Sequence, residues 1–175
     1  MIKLQKKVNQ SWTPQRELIL LVGKSGSGKD YLASAFGFRK VVSRTTRSPR
    51  PGEVDGDSHL FVSRQDIAKY PVSHIVAYTE IEGEQYCALK QDLAGKDVYI
   101  IDPAGVEYFF KITSGVFHRP VRIVYIQCRW YKRLYRMWKR NGFEKAINRF
   151  KADRITFKNW KRGNSLFHLS YRIWN

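Results

Sequence analysis

Two stretches of this chain carry residues whose types and spacing could do chemistry on phosphate. The first is Gly23-Lys24-Ser25-Gly26-Ser27-Gly28-Lys29-Asp30. Its glycines permit unusual φ/ψ, so successive backbone N–H groups can curl around an anion at close range. Lys29 adds a full positive charge, and a helix starting behind it adds the positive end of its dipole. Lys24, Ser25, Gly26, Ser27, Gly28, Lys29 and Asp30 are therefore the expected cradle for the triphosphate of ATP. A Ser or Thr hydroxyl normally follows the lysine and ligates Mg²⁺, but here the residue is Asp30. A carboxylate is also a hard oxygen ligand, so Asp30 is the expected metal residue, at the cost of repulsion with phosphate. Capping the helix is its simpler alternative role. The second stretch is CRWYKRLYRMWKRNGFEKAINRF, residues 128–150. On a helix, Tyr131, Leu134, Tyr135 and Trp138 share one face, and Arg129, Lys132, Arg133, Arg136, Lys139 and Arg140 crowd the other. The aromatic face is expected to pack into the core, with most of the basic face in solvent.

Positioning such groups requires a frame, and the apolar runs supply one. Residues 17–22 (ELILLV) read as a buried strand feeding the glycines, and 30–36 (DYLASAF) as a helix stopped by Gly37. Residues 97–101 (DVYII) and 121–128 (VRIVYIQC) are two more buried strands, and LFHLSYRIW near the end is a last one. Strands alternating with helices imply a parallel sheet covered on both faces. Residues 45–58 are dense in Pro, Gly and Asp and form a connection. HLFVS, HIVAYTEI and EQYCAL follow as short β-like runs, expected to make a small antiparallel sheet. From 129 to about 157 the pattern is helical, broken at Asn141–Gly142.

Composition narrows the classes. At 175 residues the chain fits one domain with its own core. No apolar run approaches the ~20 residues needed to cross a bilayer, and the first 15 residues lack the apolar stretch of a secretory signal. A cytoplasmic location and no membrane partner are expected. Cys87 and Cys128 match no metal-ligand spacing and read as reduced thiols. The net charge is +17, and residues 119–175 hold 16 of the 32 Lys and Arg but only two of the 15 acids. That field attracts polyanions without distinguishing nucleotides from nucleic acids. The basic carboxy-terminal third is therefore also a candidate for nucleic-acid association.

A third motif, SRTTRSPRPGEVDGDSHLFVS (43–63), closely resembles the monophosphate-binding segment of guanylate kinases. That family combines a phosphate loop, this segment and a later Gly-x-x-Tyr turn, here Gly83-Glu84-Gln85-Tyr86, in the same order. The resemblance runs from about residue 17 onward. It implies an α/β fold: a P-loop parallel sheet flanked by helices, with a small antiparallel monophosphate-binding lobe and a short helical lid. One domain over 1–175 is expected, with core at 17–42, 91–135 and 153–175, the lobe at about 43–90 and the lid at about 136–152.

The resemblance further implies ATP·Mg²⁺-dependent phosphorylation of a nucleoside monophosphate, with GMP or dGMP as the best acceptor. Arg47 and Arg50 would fork onto the acceptor phosphate, Tyr86 would donate to it, and Glu53 would hold an arginine. His59 replaces a phosphate-binding tyrosine. Ser43 stands where a serine meets the guanine edge, and Asp102 matches the second acid of an Asp-x-Asp strand end whose first position is Ile100. The family's guanine-reading glutamate aligns with Ala77, with Glu80 near enough to substitute. Arg136, Arg140 and Arg149 fall where lid arginines neutralise the moving phosphoryl group, so Lys29, Arg47, Arg136, Arg140 and Arg149 are the expected catalytic set. Ribose 1,5-bisphosphate phosphokinases share Gly-Lys-Asp in the loop, which makes a sugar bisphosphate a rival acceptor. A turnover-deficient binding module for phosphorylated partners is another class.

Overall fold

The computed structural model describes residues 17–113, 119–162 and 170–174. Strand β1 (Leu18–Val22) is apolar throughout and every residue of it is buried, so it must sit between neighbours with both faces covered. It lies between β6 (Val98–Ile100) and β7 (Val121–Gln127), and β8 (Ser170–Trp174) adds outside β7. All three pairings are parallel, with Leu20 opposite both Tyr99 and Ile123. Helices α1 (Lys29–Ala35), α3 (Pro103–Thr113), α4 (Trp130–Asn141) and α5 (Phe143–Arg162) complete this layer. Alternation along β1 divides the core in two. Leu18, Leu20 and Val22 pack with Phe109, Tyr125, Phe157 and Trp160, while Ile19 and Leu21 pack with Ala33 and Ile126.

The second sheet runs β3–β2–β5–β4, from β2 (Ser43–Thr45), β3 (His59–Phe61), β4 (Ile75–Ile81) and β5 (Glu84–Leu89). The antiparallel expectation holds for β2–β5 and β4–β5, but β2 and β3 pair in parallel, Ser43 beside His59. The turn-rich connection 46–58 is long enough to return the chain in the same direction, which a two-residue hairpin cannot do. By contrast β4 and β5 are joined by Glu82 and Gly83 alone, both at positive φ (55° and 80°), the backbone of a tight primed turn. A short helix α2 (Arg64–Ala68), opened by a Ser63–Asp66 capping box, follows β3.

Helix α3 is a feature the apolar runs do not announce. Asp102 accepts from the N–H groups of Ala104 (3.3 Å) and Gly105 (3.1 Å), and Pro103 opens the helix where its missing N–H costs nothing. Its Phe109 is fully buried against the parallel sheet and its Tyr108 packs toward Tyr78 of β4, so α3 ties the two sheets together.

Candidate nucleotide site

The phosphate loop leaves β1 and enters α1 through Gly28, whose φ of 87° lies in the left-handed region. Gly26 (φ 74°) passes the start of α4 so closely that a Cβ there would sit 2.8 Å from the Arg133 carbonyl oxygen. Lys29 folds back over the loop, its Nζ donating to the carbonyls of Gly23 (2.7 Å) and Lys24 (3.4 Å). Burial lowers its ammonium pKa to about 8, against an opposing pull from Asp30 and Asp153. Ser27 is buried beneath the loop, and Lys24 turns its Nζ toward the Phe157 ring, 5.8 Å from the centroid.

One carboxylate from a distant helix fixes the loop. Asp153 of α5 accepts from the Ser25 N–H (2.7 Å) and the Ser25 hydroxyl (3.0 Å). Arg133 of α4 donates to it at 2.5 Å and also to the Ser25 carbonyl at 2.9 Å, and the Arg149 Nε stands 3.7 Å from it. The two side chains are only 5% and 4% exposed, so this is a fully desolvated ion pair clamped on one serine. Arg133 was expected on a solvated face. It is instead among the few buried charges of the structure, and its partner lies 20 residues on, beyond any helical repeat.

The aromatic face of α4 also runs against expectation. Tyr131, Tyr135 and Trp138 are exposed, and α4 buries Arg133 and Met137 instead. The loop's need for Arg133 sets the rotation of the helix and turns the rings outward. Arg136 lies beside the loop and donates to the Gly26 carbonyl (3.1 Å). Arg149 of α5 donates to the Ser25 hydroxyl (2.8 Å) and reaches Glu82 at the tip of the β4–β5 turn (3.4 Å).

On the lobe side, Glu53 organises the arginines. Arg47 grips it with both terminal nitrogens (2.6 and 2.9 Å), the Arg50 N–H donates to it (2.9 Å), and the Arg50 guanidinium stands 3.6 Å away. These cations hold the Glu53 carboxyl at about 2 despite its burial. The Arg50 guanidinium is pushed below its ordinary value by burial, then by Arg47 and by Arg140 across the gap. Ser43 hydrogen-bonds His59 Nδ1 (3.0 Å), and the His59 ring meets Tyr86 edge-on with centroids 5.7 Å apart. Burial and Arg47 lower the His59 pKa, which favours the neutral ring.

Both groups open onto one cleft of about 390 Å³. Gly26, Gly28, Lys29 and Asp30 line one wall; Ser43, Arg47, Arg50, His59 and Tyr86 line the other; Arg136, Arg140 and Arg149 close the side. Asp102 is also on the cleft, where it accepts from Thr79 (3.2 Å); burial raises its carboxyl. Glu80 is not. It lies on β4 between the cleft residues Thr79 and Ile81, but its side chain is exposed and does not line the cleft. The expected substitute for a base-reading glutamate therefore stands outside the cleft lining in this structure. Ala77 and Ile100 are cleft residues without hydrogen-bonding side chains. Among the described residues no cluster of three His, Cys, Asp or Glu could by itself hold a metal ion. Asp30 fits Mg²⁺ only as a single carboxylate beside substrate phosphates and water, the arrangement Mg²⁺ favours.

Comparison with known proteins agrees with this architecture. The family model described as guanylate kinase matches residues 15–157. The chain is 38% identical over 114 residues to a guanylate kinase of Lactobacillus johnsonii, covering 57% of this chain and 56% of that protein. It is 33% identical over 130 residues to one of Aromatoleum aromaticum, covering 64% and 62%. The chain thus spans less than two thirds of the length of these curated relatives. The crystal structure of guanylate kinase from Anaplasma phagocytophilum superposes with a TM-score of 0.62 at 20% identity, over 92% of this chain and 78% of that one, a likeness of fold. No helix among the described residues is long and apolar enough to cross a membrane. With a loop and an arginine-rich lobe on one cleft, and a family match over most of its length, the chain belongs to the guanylate kinase family.

Proposed function

We propose that the protein is an ATP-dependent nucleoside monophosphate kinase acting on GMP or dGMP, folded as one domain with a monophosphate lobe at 43–90 and a helical lid at 136–152. The observation that carries this reading is the single cleft with an amide-and-lysine socket on one wall and a paired-guanidinium socket on the other. A binding module that had lost turnover would have no use for the first socket. The loop amides and Lys29 hold the donor phosphates. Asp30 would hold Mg²⁺, which when bound neutralises charge on the donor oxygens. Arg47 and Arg50, preset by Glu53, take the acceptor phosphate with help from Tyr86. In the tautomer that accepts from Ser43 at Nδ1, neutral His59 carries its proton on Nε2, where it can donate to the same group. Arg136, Arg140 and Arg149 spread positive charge around the phosphoryl group in transit, and holding donor and acceptor in line does the rest.

The base is read by fewer groups than the phosphate. Ser43, Thr79 and Asp102 line that end with Tyr78 and Tyr99, beside Ala77 and Ile100, and no glutamate is among them. Ala77 in place of a base-reading glutamate favours a second reading, a ribose bisphosphate acceptor with no base at all. A coupled ADP-release assay with ATP, Mg²⁺ and GMP, dGMP, AMP, CMP, UMP or ribose 1,5-bisphosphate tests both. GMP or dGMP is expected to give the highest kcat/KM. Turnover with the sugar bisphosphate alone would replace the first reading with the second, and no turnover with any acceptor would retire the kinase.

A further inference from the structure

The outward face of α4 has no role in the cleft chemistry, yet its composition is specific. Trp130, Tyr131, Tyr135 and Trp138, with Phe143 at the start of α5, are between 46% and 63% exposed. They touch one another edge-on: Trp130 with Tyr131 at 6.0 Å, Tyr135 with Trp138 at 6.2 Å, Trp138 with Phe143 at 6.4 Å. Tyr131, Tyr135 and Trp138, spaced i, i+4, i+7, form one strip along the helix. Exposed Lys132 and Lys139 form the adjacent strip, with the Lys139 ammonium 5.9 Å from the Tyr135 ring centroid, and Arg129 donates to the Tyr131 hydroxyl (3.0 Å). The strip beyond that is Arg136 and Arg140, on the cleft. The helix contains no acid; its Met137 is buried and its Leu134 half-buried.

The occupant follows from that chemistry. An anionic bilayer also accepts rings beside cations, but a helix lying in that interface sinks aliphatic side chains into the acyl boundary as well, and the exposed large hydrophobics of α4 are all aromatic. A second copy would bring an equally basic helix against this one, with like-charge repulsion on a chain of net charge +17. A duplex hides the faces of its bases and could use only the lysines. Planar rings beside a row of ammonium groups suit a flexible polyanion whose bases are free to stack. We propose that this face of α4 is a platform for single-stranded nucleic acid, with bases on Tyr131, Tyr135 and Trp138 and phosphates along Arg129, Lys132 and Lys139.

Fluorescence anisotropy of a labelled oligothymidylate of about 12 nucleotides, within the span such grooves cover, tests this between ~50 and ~200 mM salt. Binding is expected to weaken steeply with salt and to be undisturbed by ATP, because the platform lies outside the cleft. Trp138→Ala should weaken it by about 5- to 150-fold, the worth of one stacked base, while leaving ATP binding and the binding of a same-length duplex unchanged. Lys132→Gln with Lys139→Gln should flatten the salt dependence by about two phosphates. Unchanged affinity in Trp138→Ala, or competition by ATP, would overturn the proposal. So would binding of anionic vesicles in place of the oligonucleotide, or a dimer in sedimentation that the same variant dissociates.

Discussion

Replacing Asp153 by alanine is the sharpest test of how the donor loop is held. The carboxylate takes two hydrogen bonds from Ser25 and one from Arg133, and both members of the ion pair are about 95% enclosed. Asp153→Ala leaves the Arg133 guanidinium in that enclosure with only the Ser25 carbonyl as an identified acceptor. Breaking one side of a buried pair costs about 3–5 kcal/mol. At roughly 2–4 °C per kcal/mol for a chain of this size, Tm should fall by about 6–20 °C. The double variant Arg133→Met, Asp153→Leu removes the stranded charge, so most of that loss should return. The tether to Ser25 stays cut in the double variant, and its two hydrogen bonds are worth about 1–3 kcal/mol together. Its KM for ATP should therefore stay raised by about 5- to 150-fold, with the acceptor KM changed little. Thermal denaturation and steady-state kinetics on the three proteins decide it. A single variant that melts with the parent would refute the reasoning, as would a double variant that recovers ATP affinity along with Tm.

Four further outcomes follow, three from the cleft and one from the backbone. Glu53→Gln removes the charge that presets Arg47 and Arg50, and should raise the acceptor KM by about 10- to 150-fold while KM for ATP stays put; the cost reflects charge-assisted bonds of about 1.5–3 kcal/mol. Lys29, with a pKa of about 8 before ligand arrives, is charged below that pH and neutral above it, and an arriving triphosphate pulls the value up. Calorimetry in two buffers of different ionisation heat should therefore show proton uptake by this group at about pH 9 and little at about pH 6.5, and Lys29→Met should abolish the difference. Asp30→Ser should keep activity but alter the ranking of Mg²⁺ against Mn²⁺; complete inactivation would count against that. Gly142, at φ 83° and ψ 162°, joins α4 to α5 in a conformation almost restricted to glycine, so Gly142→Ala should lower stability by about 1–3 kcal/mol in urea unfolding.

The parts of this molecule readable from residues alone are those governed by local rules. Apolar runs at 17–22, 97–101 and 121–128 became the central parallel strands because continuous burial leaves no other option. The break at Asn141–Gly142 and the glycine-lysine loop declared themselves by backbone chemistry. What stayed hidden depends on partners far along the chain. The aromatic strip of α4 looked like a core face, since periodicity reports a helix's two sides but not which is inward. That choice belongs to Asp153, whose pull on Arg133 and Ser25 no spacing reveals. Glu80 was placed near the base for a related reason: proximity to position 77 in sequence says nothing of which side chains of β4 meet the cleft, where Ala77, Tyr78, Thr79 and Ile81 do and the exposed Glu80 does not. The parallel β2–β3 pair escaped because short β-like runs carry no sign of direction. Asp102 showed itself as an acid at a strand end but not as the cap that starts α3.

The bond between Ser25 and Asp153 joins residues 128 positions apart, and β1 finds its two neighbours only after residues 98 and 121. On a ribosome the donor loop is made early and completed late. Until the chain has emerged past position 153, its glycines have nothing to shape them, and a nascent fragment ending before that point should be unable to retain ATP.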